Sequence, residues 1–270
     1  FARFYANTLA TEIINNNPTI KNLFEDWKKT GRPISKLHQN DELKSLVLAE
    51  TPWINDIEND EEKKKKLALL FDLENMKTSS NTIFNKLKQK QKPSGGFAWF
   101  DGGKENEYIT NHIVAGLGHL EILKTNNDNN LSFNEINTTA IPYLDTKYLE
   151  RNTNIEVKNY KNNPYEDLYY LYARSFYLDN FPISEKVKII INKQLKIIKS
   201  SWQNYTIYNK GLASLILNRF DEKLTAKKII ESLKETSSSN EEMGMYWIEN
   251  KSGWNWYQAP IETQSLLIEA

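Results

Sequence analysis

The stretch that organises this chain is Lys92-Pro-Ser-Gly-Gly-Phe-Ala-Trp-Phe-Asp-Gly-Gly103, which leads into the apolar segment Tyr108–Leu120. Its glycines and its proline predict a loop, because glycine tolerates positive φ and proline lacks the N–H donor that a helix interior needs. Three large rings, Phe97, Trp99 and Phe100, stand where a solvated loop would carry Ser, Asn or Lys. We therefore expect these rings to pack against the protein or to bind something.

A helix is expected to resume near Asn106. The apolar residues of this helix recur at helical spacing and are Ile109, Val114, Leu117 and Leu120. The small residues Ala115, Gly116 and Gly118 stand between them, so a neighbouring segment can approach closely. This pattern predicts a helix that is buried on more than one face.

The same arrangement recurs near the end of the chain. Ser252–Tyr257 matches Gly95–Phe100 in the order of chemical types, and Ile261–Ile268 then follows as the apolar helix. The residues of this repeat loop that correspond to Gly96, Phe97, Trp99 and Phe100 are Gly253, Trp254, Trp256 and Tyr257. Two aromatic, glycine-containing loops before apolar helices predict a fold built from repeated helical hairpins.

Composition limits the classes of function. We expect a single domain over residues 1–270, since 39% hydrophobic residues can build a sizeable core. Lys and Arg number 35, as do Asp and Glu, so no basic field favours nucleic acid. The absence of cysteine excludes disulfides, thiolate metal ligands and a cysteine nucleophile within this sequence. No apolar run reaches the roughly 20 residues that a membrane-spanning helix needs.

Apolar residues three and four apart predict helices along the rest of the chain. They are expected over residues 1–14, 41–49, 133–150, 164–179, 184–199, 205–218 and 222–236, among others. No alternating strand pattern extends beyond a few residues. The fold class predicted is all-α.

Few residues suit metal binding. The only histidines are His38, His112 and His119, and the last two lie two turns apart on one predicted helix. No third ligand is patterned nearby, so we predict no metal site. The polar run Thr125–Asn130 contains Asp128 but lacks the glycine and the closing glutamate of a calcium-binding EF-hand, and it is predicted to be a turn.

A resemblance to a known family extends over nearly the whole chain. It is carried, in a common order, by Tyr5–Ala10, Glu50–Trp53, Leu67–Asp72, Gly95–Phe100, Tyr108–Thr110, Met243–Trp247 and Tyr257–Gln264. These segments resemble the thioester domain of bacterial alpha-2-macroglobulin family proteins, which are relatives of the complement thioester proteins.

The resemblance implies an α/α toroid, a double ring of helices like that of terpenoid cyclases and prenyltransferases. The family's Cys-x-Glu-Gln motif lies just before the helix that Phe1–Ile14 resembles, so we expect this chain to start after that motif and to end before the last family helices. The implied function is that of a protease-trapping endopeptidase inhibitor, in which this domain houses or shields a Cys-Gln thioester. The candidate shielding loop is Gly96, Phe97, Trp99 and Phe100.

The implied chemistry is acyl transfer from the thioester to a lysine amine, with no cofactor and no enzymatic turnover. Hydroxyl-reactive relatives carry a histidine shortly after the aromatic loop, and none stands between Phe97 and Tyr108 here. Amine preference is therefore expected. The family also implies export to the periplasm or outer membrane. The partners that it implies are proteases, which bind the full-length parent, and the neighbouring macroglobulin domains of the same chain.

Two other interpretations stay open. Asp101, Glu105, Glu107 and Glu262 lie close in sequence to the aromatic loops, and two carboxylates beside tryptophan platforms would suit an α/α-toroid hydrolase or lyase acting on polysaccharide. Tryptophans placed like Trp99, Trp254 and Trp256 more often close the ends of helical hairpins than serve as sugar platforms. A member of the family that has lost its thioester would hold proteases by conformational trapping alone.

Overall fold

The computed structural model describes residues 1–19, 22, 73–123, 132–153, 164–241, 244–251 and 259–270. The predicted helix at 41–49, His38, the predicted turn at Thr125–Asn130 and the repeat loop Ser252–Tyr257 lie outside these residues. Within the described residues the chain is predominantly helical, which confirms the all-α class at this level. None of the described helices combines the length and the apolar character needed to cross a bilayer.

The chain divides into two compact units. The first comprises residues 1–89 and 120–132, and its described part contains α1 (Ala2–Asn16) and most of α2 (Leu73–Lys90). The predicted N-terminal helix is confirmed, and it ends in the asparagine run. Phe4 and Phe84 form its core, with ring centroids 5.4 Å apart.

The second unit comprises residues 90–119 and 133–270. Its described part contains most of α3 (Glu107–Leu123) and all of α4 (Asn134–Thr153), α5 (Pro164–Arg174), α6 (Glu185–Ser201), α7 (Ile207–Arg219), α8 (Lys223–Glu235) and α9 (Pro260–Glu269). Short 3-10 segments, Ser175–Tyr177 and Trp202–Asn204, follow α5 and α6. The helices predicted from apolar spacing are thus confirmed to within a few residues, except that the last turn of the segment 164–179 is not α-helical.

Two small antiparallel ribbons accompany these helices. β1 (Phe97–Ala98) pairs with β2 (Glu105–Asn106), and β3 (Ser238–Asn240) pairs with β4 (Gly244–Tyr246). The predicted aromatic loop is therefore a short hairpin. Two or three paired residues are too few to give an alternating pattern, and for this reason the sequence did not predict the ribbons.

Helix α7 is the central element of the second unit. The seven consecutive residues Gly211–Leu217 are buried, and the helix packs against α5, α8 and α9. A helix covered on all sides has no solvated face, so its sequence is apolar around the whole circumference. Helix α4 packs against α5 and α6.

Helices α3, α5, α7 and α9 run in the same sense. Their N-terminal ends contact one another in series through Tyr108, Tyr165, Tyr208 and Glu262. Their C-terminal ends are linked in the same order through His119, Tyr172, Arg219 and Glu269. Helix contacts that join start to start and end to end exclude an antiparallel arrangement of these four helices.

Helix α4 runs in the opposite sense. Arg151, near its C-terminal end, pairs with Glu107 at the start of α3 and with Asp167 at the start of α5. Asp145, one and a half turns earlier on α4, pairs with Arg174 at the end of α5. The helices of the segment α3–α4–α5 therefore alternate in direction.

Candidate functional site

The three rings of the aromatic loop differ in their burial. Phe97 is buried, and its N–H donates to the hydroxyl of Thr110 over 2.9 Å. Trp99 and Phe100 follow the paired strand residues and are 63% and 73% exposed. Only the last two rings are thus available to cover or bind another group.

The loop is fixed against α4 by polar contacts. The side-chain amide of Gln91 donates to the carbonyls of Gly95 and Ile136, over 2.9 and 3.0 Å. Gly96 is buried, and a Cβ at this position would lie 2.8 Å from the Tyr143 ring. The loop backbone therefore lies too close to α4 to accept a side chain there.

Trp99 is the first member of a stack of rings. Its indole lies 5.8 Å from the Tyr108 ring at an interplanar angle of 14°. The Tyr108 ring in turn lies 5.6 Å from that of Tyr169, and Tyr169 lies 5.5 Å from Tyr165. This stack connects the aromatic loop to the helices α3 and α5.

The N-terminal ends of the four co-directional helices form the candidate site, which we call the N-terminal face. It consists of Trp99, Tyr108, Tyr165, Tyr208 and Glu262. The three tyrosine hydroxyls hydrogen-bond in series, and Tyr208 donates to the Glu262 carboxylate over 3.4 Å. Burial raises the pKa of each tyrosine, and the charge of Glu262 raises it further, so all three hydroxyls stay protonated at neutral pH.

The two histidines of α3 have separate partners. His112 stacks on Tyr108, and its Nδ1 lies 3.1 Å from the Tyr169 hydroxyl. His119 lies at the other end of the helix, with Nε2 2.9 Å from the Glu269 carboxylate. Within the described ranges no group of three His, Cys, Asp or Glu residues could hold a metal ion.

A charged network joins the C-terminal ends of the same helices. The Glu269 carboxylate accepts from the Tyr172 hydroxyl and from Arg219, each over 2.6 Å. Burial alone would raise the pKa of Glu269, but the hydrogen bonds and charges of His119, Tyr172 and Arg219 hold it below its usual value. The Arg219 guanidinium also lies 4.0 Å from the centre of the Phe176 ring. This network orients the helices and is largely withdrawn from solvent.

The four carboxylates that the sequence singled out have four different partners. Asp101 pairs with Lys90, Glu105 accepts from Ser94, Glu107 pairs with Arg151, and Glu262 accepts from Tyr208. A hydrogen bond from Lys90 lowers the pKa of Asp101. Hydrogen bonds, chiefly from its own backbone, lower the pKa of Glu105. A general acid needs a raised pKa, so these two carboxyls are poorly suited to that role.

The sequence reasoning missed the tyrosines of α5 as site residues. Tyr165, Tyr169 and Tyr172 stand at i, i+4 and i+7, the spacing that places side chains on one helix face. This pattern was a usable signal for a stack of rings. Arg151, which bridges α3 and α5, carried no comparable signal because its partners are distant in sequence.

No family model and no curated protein matches this sequence. The described residues define a class, that of a predominantly α-helical protein with co-directional helices and an aromatic face at their N-terminal ends.

Protonation of His112 is expected to destabilise the fold. Burial of the ring lowers the pKa of His112 below 6.5, an effect that the nearby carboxylate of Glu262 partly opposes. Because the unfolded chain then binds the proton first, stability is fully present above pH 6.5 and is lost as the pH falls toward the lowered pKa. The carboxyls with lowered pKa, Asp101, Glu105 and Glu269, contribute a similar loss only below their ordinary values of 3.8 and 4.5.

Urea unfolding between about pH 7.5 and pH 5 measures this effect. The His112→Gln variant, which cannot gain the proton, should lose less stability over this range than the unsubstituted chain. If the free energy of unfolding falls by the same amount with pH in the two proteins, His112 is not the source of the pH dependence.

Proposed function

We propose that this chain is the helical thioester-type domain of a protease-trapping inhibitor of the alpha-2-macroglobulin type. The observation that carries the proposal is the position of the aromatic loop Gly95–Phe100. This loop, one of the seven segments that carry the family resemblance, lies at the N-terminal ends of helices that run in one sense and alternate with a reversed helix. Alternation of this kind is what an α/α toroid requires, and we propose closure into such a double ring.

In this proposal the loop residues have different tasks. Phe97 anchors the loop in the core, whereas Trp99 and Phe100 remain exposed and cover a reactive bond brought to this end of the helices. The sequence contains no cysteine, so a thioester in the parent protein uses a cysteine outside these 270 residues. The domain shields and presents the bond and turns over no substrate.

The acceptor of the acyl group is expected to be an amine. A neutral amine attacks the thioester carbonyl, the C–S bond breaks, and a proton of the amine passes to the departing thiolate as the amide forms, without a metal ion. A hydroxyl acceptor needs a base, and His112, the first histidine after the loop, faces the Tyr169 hydroxyl. Methylamine should therefore modify the full-length protein in preference to glycerol, and a dominant glycerol ester would contradict this assignment.

Protease trapping is tested on the full-length protein that contains this chain. After incubation with a protease such as trypsin, cleavage of large protein substrates should fall while cleavage of a small peptide substrate continues. Covalent protease conjugates indicate a working thioester, and trapping without conjugates indicates a parent that has lost it. Unchanged cleavage of large substrates by every protease class tested would overturn the proposal.

The shielding role is tested with paired variants of the same protein. Trp99→Ala combined with Phe100→Ala should speed release of the thioester thiol into water. Ile189→Ala on α6, which truncates a side chain that is 68% exposed but remote in sequence from the loop, serves as the matched control. Equal thiol release in the two variants would remove the loop from the proposed mechanism.

An α/α-toroid hydrolase or lyase acting on polysaccharide is the alternative. It draws support from Glu262, an exposed carboxylate on the same face as the exposed indole of Trp99. New reducing ends, or new unsaturated ends, on incubation with polysaccharides would favour this alternative over the inhibitor.

We further propose that the parent protein is exported to the periplasm or outer membrane. Its partners there are the trapped proteases and the neighbouring macroglobulin domains of the same chain.

A further inference from the structure

The N-terminal face combines accessible rings with an acidic group. Trp99 is 63% exposed, the three tyrosines of the face are half-buried, and the side chain of Glu262 is exposed. The Trp99 ring stacks on the Tyr108 ring, so the side of Trp99 that faces away from Tyr108 is the accessible ring surface. A ligand that reaches this face can contact the exposed Trp99 ring and the exposed Glu262 carboxylate.

The carboxylate of this face differs in its partners from the half-buried carboxylates of the second unit. The half-buried carboxylates of the second unit pair with basic side chains: Asp145 with Arg174, Glu107 and Asp167 with Arg151, Glu269 with Arg219, and Glu222 with Lys199. Glu262 accepts a hydrogen bond from Tyr208, and within the described part of the chain it makes no ion pair. The tyrosine hydroxyls are neutral, so the face carries one negative charge beside electron-rich ring faces.

We propose that the N-terminal face binds an alkylammonium group, in the form of a lysine side chain of a partner protein. A cation within about 6 Å of an aromatic ring centre is attracted by the ring quadrupole. Glu262 adds direct charge attraction, and the apolar lysine stem packs on the exposed Trp99 ring. The step is binding alone, and no bond forms or breaks.

The hydrogen bonds within the face favour this ligand over a sugar. Tyr108, Tyr165 and Tyr208 use their hydroxyls on one another and on Glu262, so they offer few free donors or acceptors to a polyhydroxyl ligand. An ammonium group needs one charged acceptor and ring faces, both of which are present. Only the identification of the lysine as that of a trapped protease rests on the proposed function.

The test uses the 270-residue chain and small probes of stated chemistry. n-Butylammonium chloride and the uncharged n-butanol are titrated while the indole N–H resonance of Trp99 is followed by NMR, assigned with a Trp99→Phe variant. We expect n-butylammonium to shift this resonance with a Kd in the range of about 1–10 mM, as suits one small cation. n-Butanol should leave it unchanged at the same concentrations.

Glu262→Gln should weaken n-butylammonium binding by at least about five-fold. Glu185→Gln is the matched control, because Glu185 is also an exposed glutamate in the first turn of a helix, α6, and should leave the affinity unchanged. Far-UV circular dichroism and the unfolding midpoint establish that both variants fold. Equal shifts with n-butanol, an unaffected Glu262→Gln variant, or tighter binding of a soluble oligosaccharide would each overturn the proposal.

The outcome is separable from that of the trapping assay. If the chain binds the ammonium probe but the parent traps no protease, the proposed site stands, and the lysine does not come from a trapped protease. If the parent traps proteases but the chain does not bind the ammonium probe, the proposed inhibitor function stands and the proposed ammonium site is wrong.

Discussion

Gly95→Ala is expected to lower the free energy of unfolding by about 3–5 kcal/mol, the combined cost of a strained backbone and an overpacked contact. Gly95 has a φ of +93°, where a side chain is strained. A Cβ there would lie 2.1 Å from the carbonyl oxygen of Thr139, a backbone atom of α4 that cannot turn aside. The loop would have to move away from α4, and Trp99 would move with it.

Gly102→Ala measures the cost of the strained backbone without the overpacked contact. Gly102 has a similar φ of +82°, but a Cβ there meets nothing within 4 Å. Its substitution should therefore cost only the backbone strain, about 1–2 kcal/mol. Urea unfolding followed by circular dichroism gives both values, and equal losses for the two variants would show that the loop does not lie against α4.

Arg174→Met is expected to cost about 3–5 kcal/mol, because it leaves the half-buried carboxylate of Asp145 without its charge partner. Arg174 is only 2% exposed. Its Nε donates to Asp145 over 3.0 Å, and its other nitrogens donate to the carbonyls of Tyr177 and Phe181 over 3.1 and 2.6 Å. One side chain thus holds α4 against α5 and fixes the 3-10 segment after α5.

Lys147→Met on the same helix α4 is the control for this prediction. Lys147 pairs with Glu150 at the surface, where the two side chains are 40% and 57% exposed, so its loss should cost under about 1 kcal/mol. Adding Asp145→Asn to Arg174→Met should recover part of the lost stability, since the unpaired charge is removed. A small loss for Arg174→Met, equal to that of the control, would contradict the structural role assigned to Arg174.

The helices of the second unit could be predicted from sequence because their apolar residues recur with the helical period. Helices α4, α6, α7 and α8 lie within a few residues of the predicted segments. The pairing of Arg174 with Asp145 could not be predicted in this way. The two residues are 29 positions apart, and spacing along one helix carries no information on a partner from another helix.

The candidate site was predicted only in part. The sequence identified the rings of the aromatic loop, but not that Phe97 is core while Trp99 and Phe100 are exposed, because this depends on where the short strand β1 ends. Glu262 was singled out among four carboxylates. Its place beside Tyr208 follows from the common direction of α7 and α9, which no local pattern determines.

The common direction of the helices is the central claim, and cross-linking tests it most directly. The chain has no cysteine, so introduced thiols are the only ones present. Glu262→Cys is combined either with Tyr208→Cys or with Arg219→Cys, and each protein is treated with a bismaleimide that reaches about two helical turns, roughly 11 Å. We predict that the 208–262 pair is cross-linked and the 219–262 pair is not. Cross-linking of the 219–262 pair in place of the 208–262 pair would mean that α7 and α9 run in opposite directions, and the N-terminal face would not exist.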